Sequence, residues 1–540
     1  MVTAIKNNIL ILALILILAL YLGVKSFSDG WDGWGFGSAQ TLMSNEYWVK
    51  DGFIKNYFLF IPRPYSKLIH YFDELEFRNH QIDTINGELN RNRIYYTHYP
   101  PLYLTPYALL AKIGIESRSI FRIFSILISL TALFIFYLFI KAISTRAVAI
   151  IASTYYGFSV TFINYADSIS TQPWTIFFTF LILYLSTSAT RNNLAIWISY
   201  FVLSLSSYDA TFFVFAWLVL YDVMILKKFF WKKWLFWSSA PILGFVLQIF
   251  QNVWYLGWNN MWRDIYTSYI ERTIGSLKGF ILGLIAPFIS ITGIKTFFFF
   301  KKSILTFGSI VSITSLLWKL KSKMNLGSNF FRIIFILAIA AIIQPIFINV
   351  TGHWPYQGIL TAPFWGLLIG SSGVFIFNTL KKKGGVTHET HYIYILMIIV
   401  LALWSTQFYS TYVYTRDWPN NKPNQRIIEF SKEIRSFYPK EEKIAFRILP
   451  KNPIWKSQFP TFNMEYYMGM PTIDFANSKD LLVDFWWFRG RSEYPFYSFI
   501  ISENKTYIEK IRQELLVKNV KNISPILEIQ GQHLFTVDQK

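Results

Sequence analysis

Long apolar runs alternate with short polar connectors through about three-quarters of the chain, and then the alternation stops. The runs cover residues 9–24, 119–140, 148–163, 174–185, 194–205, 212–226, 235–251, 333–350, 359–380 and 393–409. At about 1.5 Å of rise per residue, helices of such runs cross, or nearly cross, a hydrocarbon core of about 30 Å. Residues 279–318 are harder to divide, because two apolar runs, 280–292 and 304–317, flank Lys301 and Lys302. An odd number of crossings there keeps Lys319, Lys321 and Lys323 on the side of the other basic connectors. One crossing is the reading adopted, with the first run interfacial or re-entrant. The pattern predicts a polytopic α-helical membrane protein of about 11 spans, or 13 if the short pieces cross.

Lys6 precedes the first run and places the N-terminus in the cytoplasm. A cleaved signal peptide is the competing reading, but no A-x-A-like site follows and further spans come later. Residues 26–118 then form a large first extracytoplasmic loop. Within it, 102–115 is apolar but short, and Pro100-Pro101 suit a helix start, so a helix at the outer interface is expected. Beyond residue 415 the hydropathy falls. Helical periodicity over 425–438 and 506–517, a strand at 443–449 and a hairpin of 526–529 with 534–537 predict a small extracytoplasmic α/β domain over 415–540. Residues 1–414 form the transmembrane domain.

Composition supports this division. The 540 residues are 53% hydrophobic, 19% aromatic and only 15% charged, outside the usual range of a soluble protein. A formal charge of +20 invites a nucleic-acid reading. The basic residues, however, cluster as Lys227-Lys228, Lys232-Lys233 and Lys381-Lys382-Lys383 between apolar runs, which is the positive-inside pattern. No nucleic-acid partner is expected. There is no cysteine, which excludes disulfides, thiolate metal sites and cysteine nucleophiles. No phosphate-cradling glycine loop or hydrolase motif stands in a suitable context.

The candidate chemistry collects directly after the first run, in the stretch KSFSDGWDGWGFG that starts at Lys25. Asp32 is the foremost candidate, with Asp29 three residues earlier, and Trp31 and Trp34 beside them could stack on a sugar ring. A solvated loop carboxylate is the plainer alternative for Asp32, and an interfacial aromatic belt is the alternative for the tryptophans. By the topology, Asp167, Asp209, Arg263, Asp264 and Arg272 share the compartment of Asp32.

The run Asp32-x-x-x-Phe36-Gly37, with Met43 and Asp51-Gly52-Phe53 downstream, resembles the first-loop pattern of C-type membrane glycosyltransferases, such as the protein O-mannosyltransferases and the aminoarabinose transferases of lipid A. The stretch His98-Tyr99-Pro100-Pro101-Leu102-Tyr103 is similar to their H-x-P-P-L-Y signature. The likeness extends to Arg122 at the head of the next span, the loop around Asp167, the segment 353–356 and the C-terminal domain. The sequence departs from the pattern where Gly33 follows Asp32 in place of the family's usual Glu, which leaves open how Asp29 and Asp32 divide the work.

The resemblance implies inverting transfer of a sugar from a polyprenyl-phosphate donor to a protein, lipid or glycan acceptor at the outer face of the cell membrane. It implies Asp32, or Asp29, as the base that takes the acceptor's proton or holds the acceptor. Arg263, Arg272, Lys278 and Arg122, with His98, are the candidates for the donor phosphate, each of the cations having the alternative of meeting lipid headgroups. Trp31, Trp34, Tyr99, Asp167 and His353 would line the sugar and acceptor cavity. Asp32 and Asp167 could also hold a divalent cation, Mg²⁺ or Mn²⁺, through hard oxygen ligands, whereas a loop-capping role serves Asp167 equally well. A transporter or flippase of polyprenyl-linked glycans, or a non-catalytic subunit with a sensory outer domain, would use the same residues for binding alone. The gathering of carboxylates in outside loops rather than in mid-span favours the enzyme.

Overall fold

The computed structural model describes residues 2–28, 35–61, 95, 97, 100–188, 191–273, 288, 299–321, 329–347, 358–381, 388–417, 422–437, 443–449, 459–475, 478–491 and 496–538. All eleven runs chosen as spans are helical: α1 (Val2–Ser26), α4 (Arg118–Ile143), α5 (Arg146–Gly157), α7 (Thr171–Thr187), α8 (Asn193–Ser204), α9 (Asp209–Met224), α10 (Trp231–Leu256), α12 (Phe299–Lys319), α13 (Phe330–Phe347), α14 (Gly358–Lys381) and α15 (His388–Asp417). Among the described residues, five stretches are long and apolar enough to cross a membrane: Asn8–Ser26, Arg118–Ile143, Trp231–Leu256, Gly358–Lys381 and His391–Tyr412. Three shorter apolar helices stand among them, Asn193–Ser204, Ala210–Met224 and Phe330–Ile343.

The run 148–163 is not one helix. It breaks after Gly157, and Ser159 Oγ accepts from Phe162 N at 3.1 Å to start α6 (Val160–Tyr165). A serine N-cap offers the backbone an alternative to continuing the helix, and apolar periodicity does not register it.

The connectors sort to two ends of the bundle. Tyr137 OH donates to Asn8 Oδ1 at 3.0 Å, so the start of α1 lies beside the end of α4. The guanidinium of Arg191 donates to Asp222 Oδ1 and lies 4.6 Å from the ring centre of Trp237, and Trp234 Nε1 donates to Asp222 Oδ2 at 3.0 Å. Arg332 Nη1 donates to Met224 O at 3.4 Å. Lys141, Arg146, Arg191, Lys227, Lys228, Lys232, Lys233 and Arg332 therefore share one end, the arrangement that the positive-inside reading requires. At the other end Thr171 Oγ1 donates to Ser206 O at 2.5 Å and Leu102 N to Leu205 O at 2.9 Å. This end carries the first-loop elements α2 (Gly35–Asp51) and α3 (Thr105–Lys112) and the amphipathic α11 (Trp258–Thr273).

The C-terminal part opens with α16 (Lys422–Phe437) and forms a five-stranded sheet, in the order β2-β1-β3-β5-β4. β1 (Lys443–Ile448) pairs in parallel with β2 (Thr472–Phe475) and β3 (Tyr497–Ser502), while β5 (Gln532–Asp538) runs antiparallel to β3 and to β4 (Leu527–Ile529). The hairpin turns at Gln530 and Gly531, whose φ angles of 51° and 75° match the primed turns that follow strand twist. Helices α18 (Ser478–Arg491) and α19 (Lys505–Val517) join Phe446, Ile500 and Phe535 in one core. On the other side, α16 and α17 (Phe459–Met468) bury Phe430, Ile434 and Met464 against Phe499.

The bundle closes tightly where α14 crosses α5 and α4. A Cβ on Gly370 would sit 2.6 Å from the carbonyl oxygen of Val148, and one on Gly366 would sit 2.9 Å from Phe136 Cζ. Small residues let helices approach in a membrane, where contact and not water exclusion drives association. Gly370→Val is expected to destabilise the protein by about 1–3 kcal/mol, seen as a lower unfolding midpoint in detergent. Gly23→Ala, with no atom within 4 Å of the added carbon, should leave that midpoint unchanged.

Candidate active site

Three charges meet at the loop-bearing end of the bundle. Lys25 ends α1, Arg122 lies one turn into α4, and Asp167 sits in the short loop between α6 and α7. Lys25 Nζ donates to Asp167 Oδ1 at 2.7 Å and to the carbonyl of Ile163 at 3.0 Å. Arg122 takes the other carboxylate oxygen, through Nε at 3.2 Å and through Nη2. All three side chains have no exposed surface. Burial alone would push the Asp167 carboxyl up, but the two cations override it and hold its pKa below the ordinary carboxylate value.

The cluster also fixes backbone. Arg122 Nη1 donates to Ser26 O at 3.2 Å and Ser28 O at 2.6 Å. Ser38 Oγ, near the start of α2, accepts from Ile169 N at 2.9 Å, two residues beyond Asp167. Ser28 and Ser38, described residues on either side of the stretch that carries Asp29, Trp31, Asp32 and Trp34, are thus tied to Arg122 and to the backbone of Ile169.

A second clamp holds the segment before the two prolines. Thr97 Oγ1 donates to the buried Asp264 at 2.6 Å, and Gln248 Nε2 and Asn252 Nδ2 donate to the Thr97 carbonyl at 3.3 and 3.0 Å. Tyr95 OH donates to Asn56 Oδ1 at 3.1 Å. Beyond the prolines, the expected helix of 102–115 is a 3₁₀ turn, Leu102–Leu104, leading into α3. The C-terminal domain covers this end: Arg118 Nη1 donates to Tyr467 OH, and Tyr466 packs against Ala39 and Met43 of α2 as well as Phe121 and Ile169.

Of the residues singled out from the sequence, the structure unites Asp167 with Arg122. Both are committed to this ion cluster: Asp167 spends its two oxygens on Lys25 and Arg122, and Arg122 holds Asp167 and two backbone carbonyls. Arg263 is exposed on α11, next to the buried Asp264. Arg272 stands in the last turn of α11. Asp29, Trp31, Asp32, Trp34, His98, Tyr99, Lys278 and His353 lie outside the described residues. Sequence reasoning gave Lys25 no role; an ionisable residue closing a fully apolar run was the available signal.

The fold and this end of the bundle define a polytopic helical membrane protein in which α2, from the first loop, is capped by an α/β domain. It is the fold of the C-type membrane glycosyltransferases. The chain is similar to the crystal structure of ArnT from Cupriavidus metallidurans bound to undecaprenyl phosphate, with a TM-score of 0.54 and 11% identity over 98% of each chain. It is also similar to the Archaeoglobus fulgidus oligosaccharyltransferase tethered to an acceptor peptide, with a TM-score of 0.50 and 12% identity over 93% of this chain and 70% of that one. No family model and no curated protein matches the sequence.

Removing the carboxylate strands two buried cations. Asp167→Asn is expected to cost about 3–5 kcal/mol, whereas Lys25→Met, which keeps the Arg122–Asp167 pair, should cost less; detergent unfolding of both variants checks the order. Because the pKa of Asp167 is lowered by folding, its stabilisation is complete above the unfolded value of about 3.9 and is lost as pH falls through the folded value. The stability gap between wild type and Asp167→Asn should therefore be flat from about pH 5 to 8 and narrow only below about pH 4.

Proposed function

We propose that the protein is an inverting glycosyltransferase that moves a sugar from a polyprenyl-phosphate donor to an acceptor at the extracytoplasmic face of the cell membrane. The observation that carries the reading is the Lys25–Asp167–Arg122 cluster, which fixes the end of α1 as far as Ser28, directly before Asp29 in the sequence. Support comes also from the first-loop motifs and from a fold shared with a transferase solved with undecaprenyl phosphate.

In this mechanism the acceptor atom attacks C1 of the sugar from the face opposite the phosphate. The acceptor–C1 bond forms, the C1–oxygen bond breaks, and its electron pair leaves on the polyprenyl phosphate. Asp32 takes the acceptor's proton or orients the acceptor, with Asp29 as its neighbour. Trp31, Trp34, Tyr99 and His353 line the sugar and acceptor cavity, while Arg263, Arg272, Lys278 and His98 meet the phosphate. Arg122 acts on the site through the backbone, by holding the carbonyls of Ser26 and Ser28. Residues 1–414 carry the reaction, and 415–540 lie outside as a cover on α2.

A Mg²⁺ or Mn²⁺ ion shared by Asp32 and Asp167 does not fit Asp167 as it stands, since both its oxygens are engaged by cations. No step is assigned to a metal.

Membranes containing the protein, given a labelled polyprenyl-phosphate sugar, test the proposal. Wild type should release polyprenyl phosphate and transfer label, and Asp32→Asn should cut the rate by about 10²–10⁴. Undiminished transfer by Asp32→Asn would remove the base assignment. Movement of the lipid between leaflets without release of polyprenyl phosphate would replace the enzyme by a flippase.

A further inference from the structure

Reaching inward from the opposite end of the bundle, helices α9, α12, α13 and α14 enclose a chamber of about 770 Å³. Its walls are almost wholly apolar, with Met224, Phe288, Val311, Phe335, Ala338 and Phe364 among them. Helix α9 sets its distance from the charge cluster: Ser206 and Ser207, before its start, lie at the loop-bearing end, and Met224, its last residue, lines the chamber. Sixteen residues of helix amount to about 24 Å. Met224, Trp318 and Arg332 therefore set one side of the chamber at the basic end, from which it runs along α13 as far as Ile342.

Two features say what fills it. Trp318 and Phe335 are 61% and 53% exposed while lining the chamber, so it opens sideways between helices, toward lipid. An apolar space of this kind excludes water and takes hydrocarbon. Arg332 also lines it, half-buried, and donates only a 3.4 Å bond to the Met224 carbonyl; among the described residues no carboxylate pairs with it. A guanidinium at the edge of an apolar chamber calls for an anion. Lys319 and Lys321 follow Trp318 at the same end, Lys321 with its ammonium 5.5 Å from the Trp318 ring centre and Lys319 4.9 Å from that of Tyr392. Basic pockets between helices on the cytoplasmic side are suited to anionic lipid headgroups.

We propose that this chamber binds one anionic diacyl phospholipid of the basic-side leaflet, with an acyl chain between α12 and α13 and its phosphate held by Arg332 with Lys319 and Lys321. The lipid fills a gap that the helices leave beside the α9–α13 packing, and so holds α13 in place.

Native mass spectrometry of the full-length protein in detergent, titrated with phosphatidylglycerol or phosphatidylcholine of the same acyl chains, tests this. Wild type should bind one phosphatidylglycerol in clear preference to phosphatidylcholine. Arg332→Gln should weaken phosphatidylglycerol by about fivefold, the loss of one basic contact near the surface, and leave phosphatidylcholine unchanged. Phosphatidylglycerol with a photoreactive acyl chain should label residues 310–318 and 331–342 of wild type, and Ala338→Trp, which fills the chamber, should abolish that labelling. Equal affinity for the two lipids, an unaltered preference in Arg332→Gln, labelling confined to other helices, or displacement of phosphatidylglycerol by equimolar undecaprenyl phosphate would each overturn the proposal.

Discussion

Two cations and one carboxylate, withdrawn entirely from water, are the constraint on which the architecture of the loop-bearing end depends. A buried ion pair seldom adds stability over a well-packed apolar replacement, because desolvation offsets the attraction. The value of Lys25, Arg122 and Asp167 lies in where they stand. They bind the end of α1, the head of α4 and the loop between α6 and α7 at a single point, and Arg122 extends the hold to the carbonyls of Ser26 and Ser28. A hydrophobic contact could join the same helices, but it is non-directional and would not set the path on which the chain leaves the bundle.

The other elements at this end follow the same pattern, in which one side chain fixes backbone far away in the sequence. Ser38 receives Ile169 N, and Asp264, Gln248 and Asn252 grip Thr97 directly before His98. Helix α11 thus divides its labour by face: Asp264 is buried on the clamp, while Trp258, Trp262 and Tyr266 are exposed as a ridge at helical spacing with Arg263 beside it. Such aromatic ridges suit the boundary between lipid and water, where a lipid-borne phosphate would arrive.

The bundle was legible in the sequence because a membrane demands long apolar helices with internally satisfied backbones. The runs and their basic connectors therefore reveal both the helices and the end at which each connector lies. Ser159, which splits one run, was not legible, since a cap is a local hydrogen bond inside an unbroken apolar stretch. In the C-terminal domain β1 and the final hairpin carried recognisable signals. β2 is four residues long and β3 is a short, nearly continuous apolar run, which periodicity cannot separate from helix. Among site residues, Asp167 and Arg122 stood out as charges at span ends, but their partnership did not. Lys25 and Asp167 are 142 positions apart, and no spacing rule connects them.

The contact of α17 with α2 bears on how the protein is made. Tyr466 and Tyr467 seal against Met43, Phe121 and Arg118, residues synthesised more than three hundred positions earlier. Contacts of such sequence separation form late, so the first-loop helix waits without its cover while the rest of the chain is translated. A nascent or truncated chain would hold an inserted bundle with this end unfinished, and the order of synthesis itself delays its completion until the α/β domain has folded.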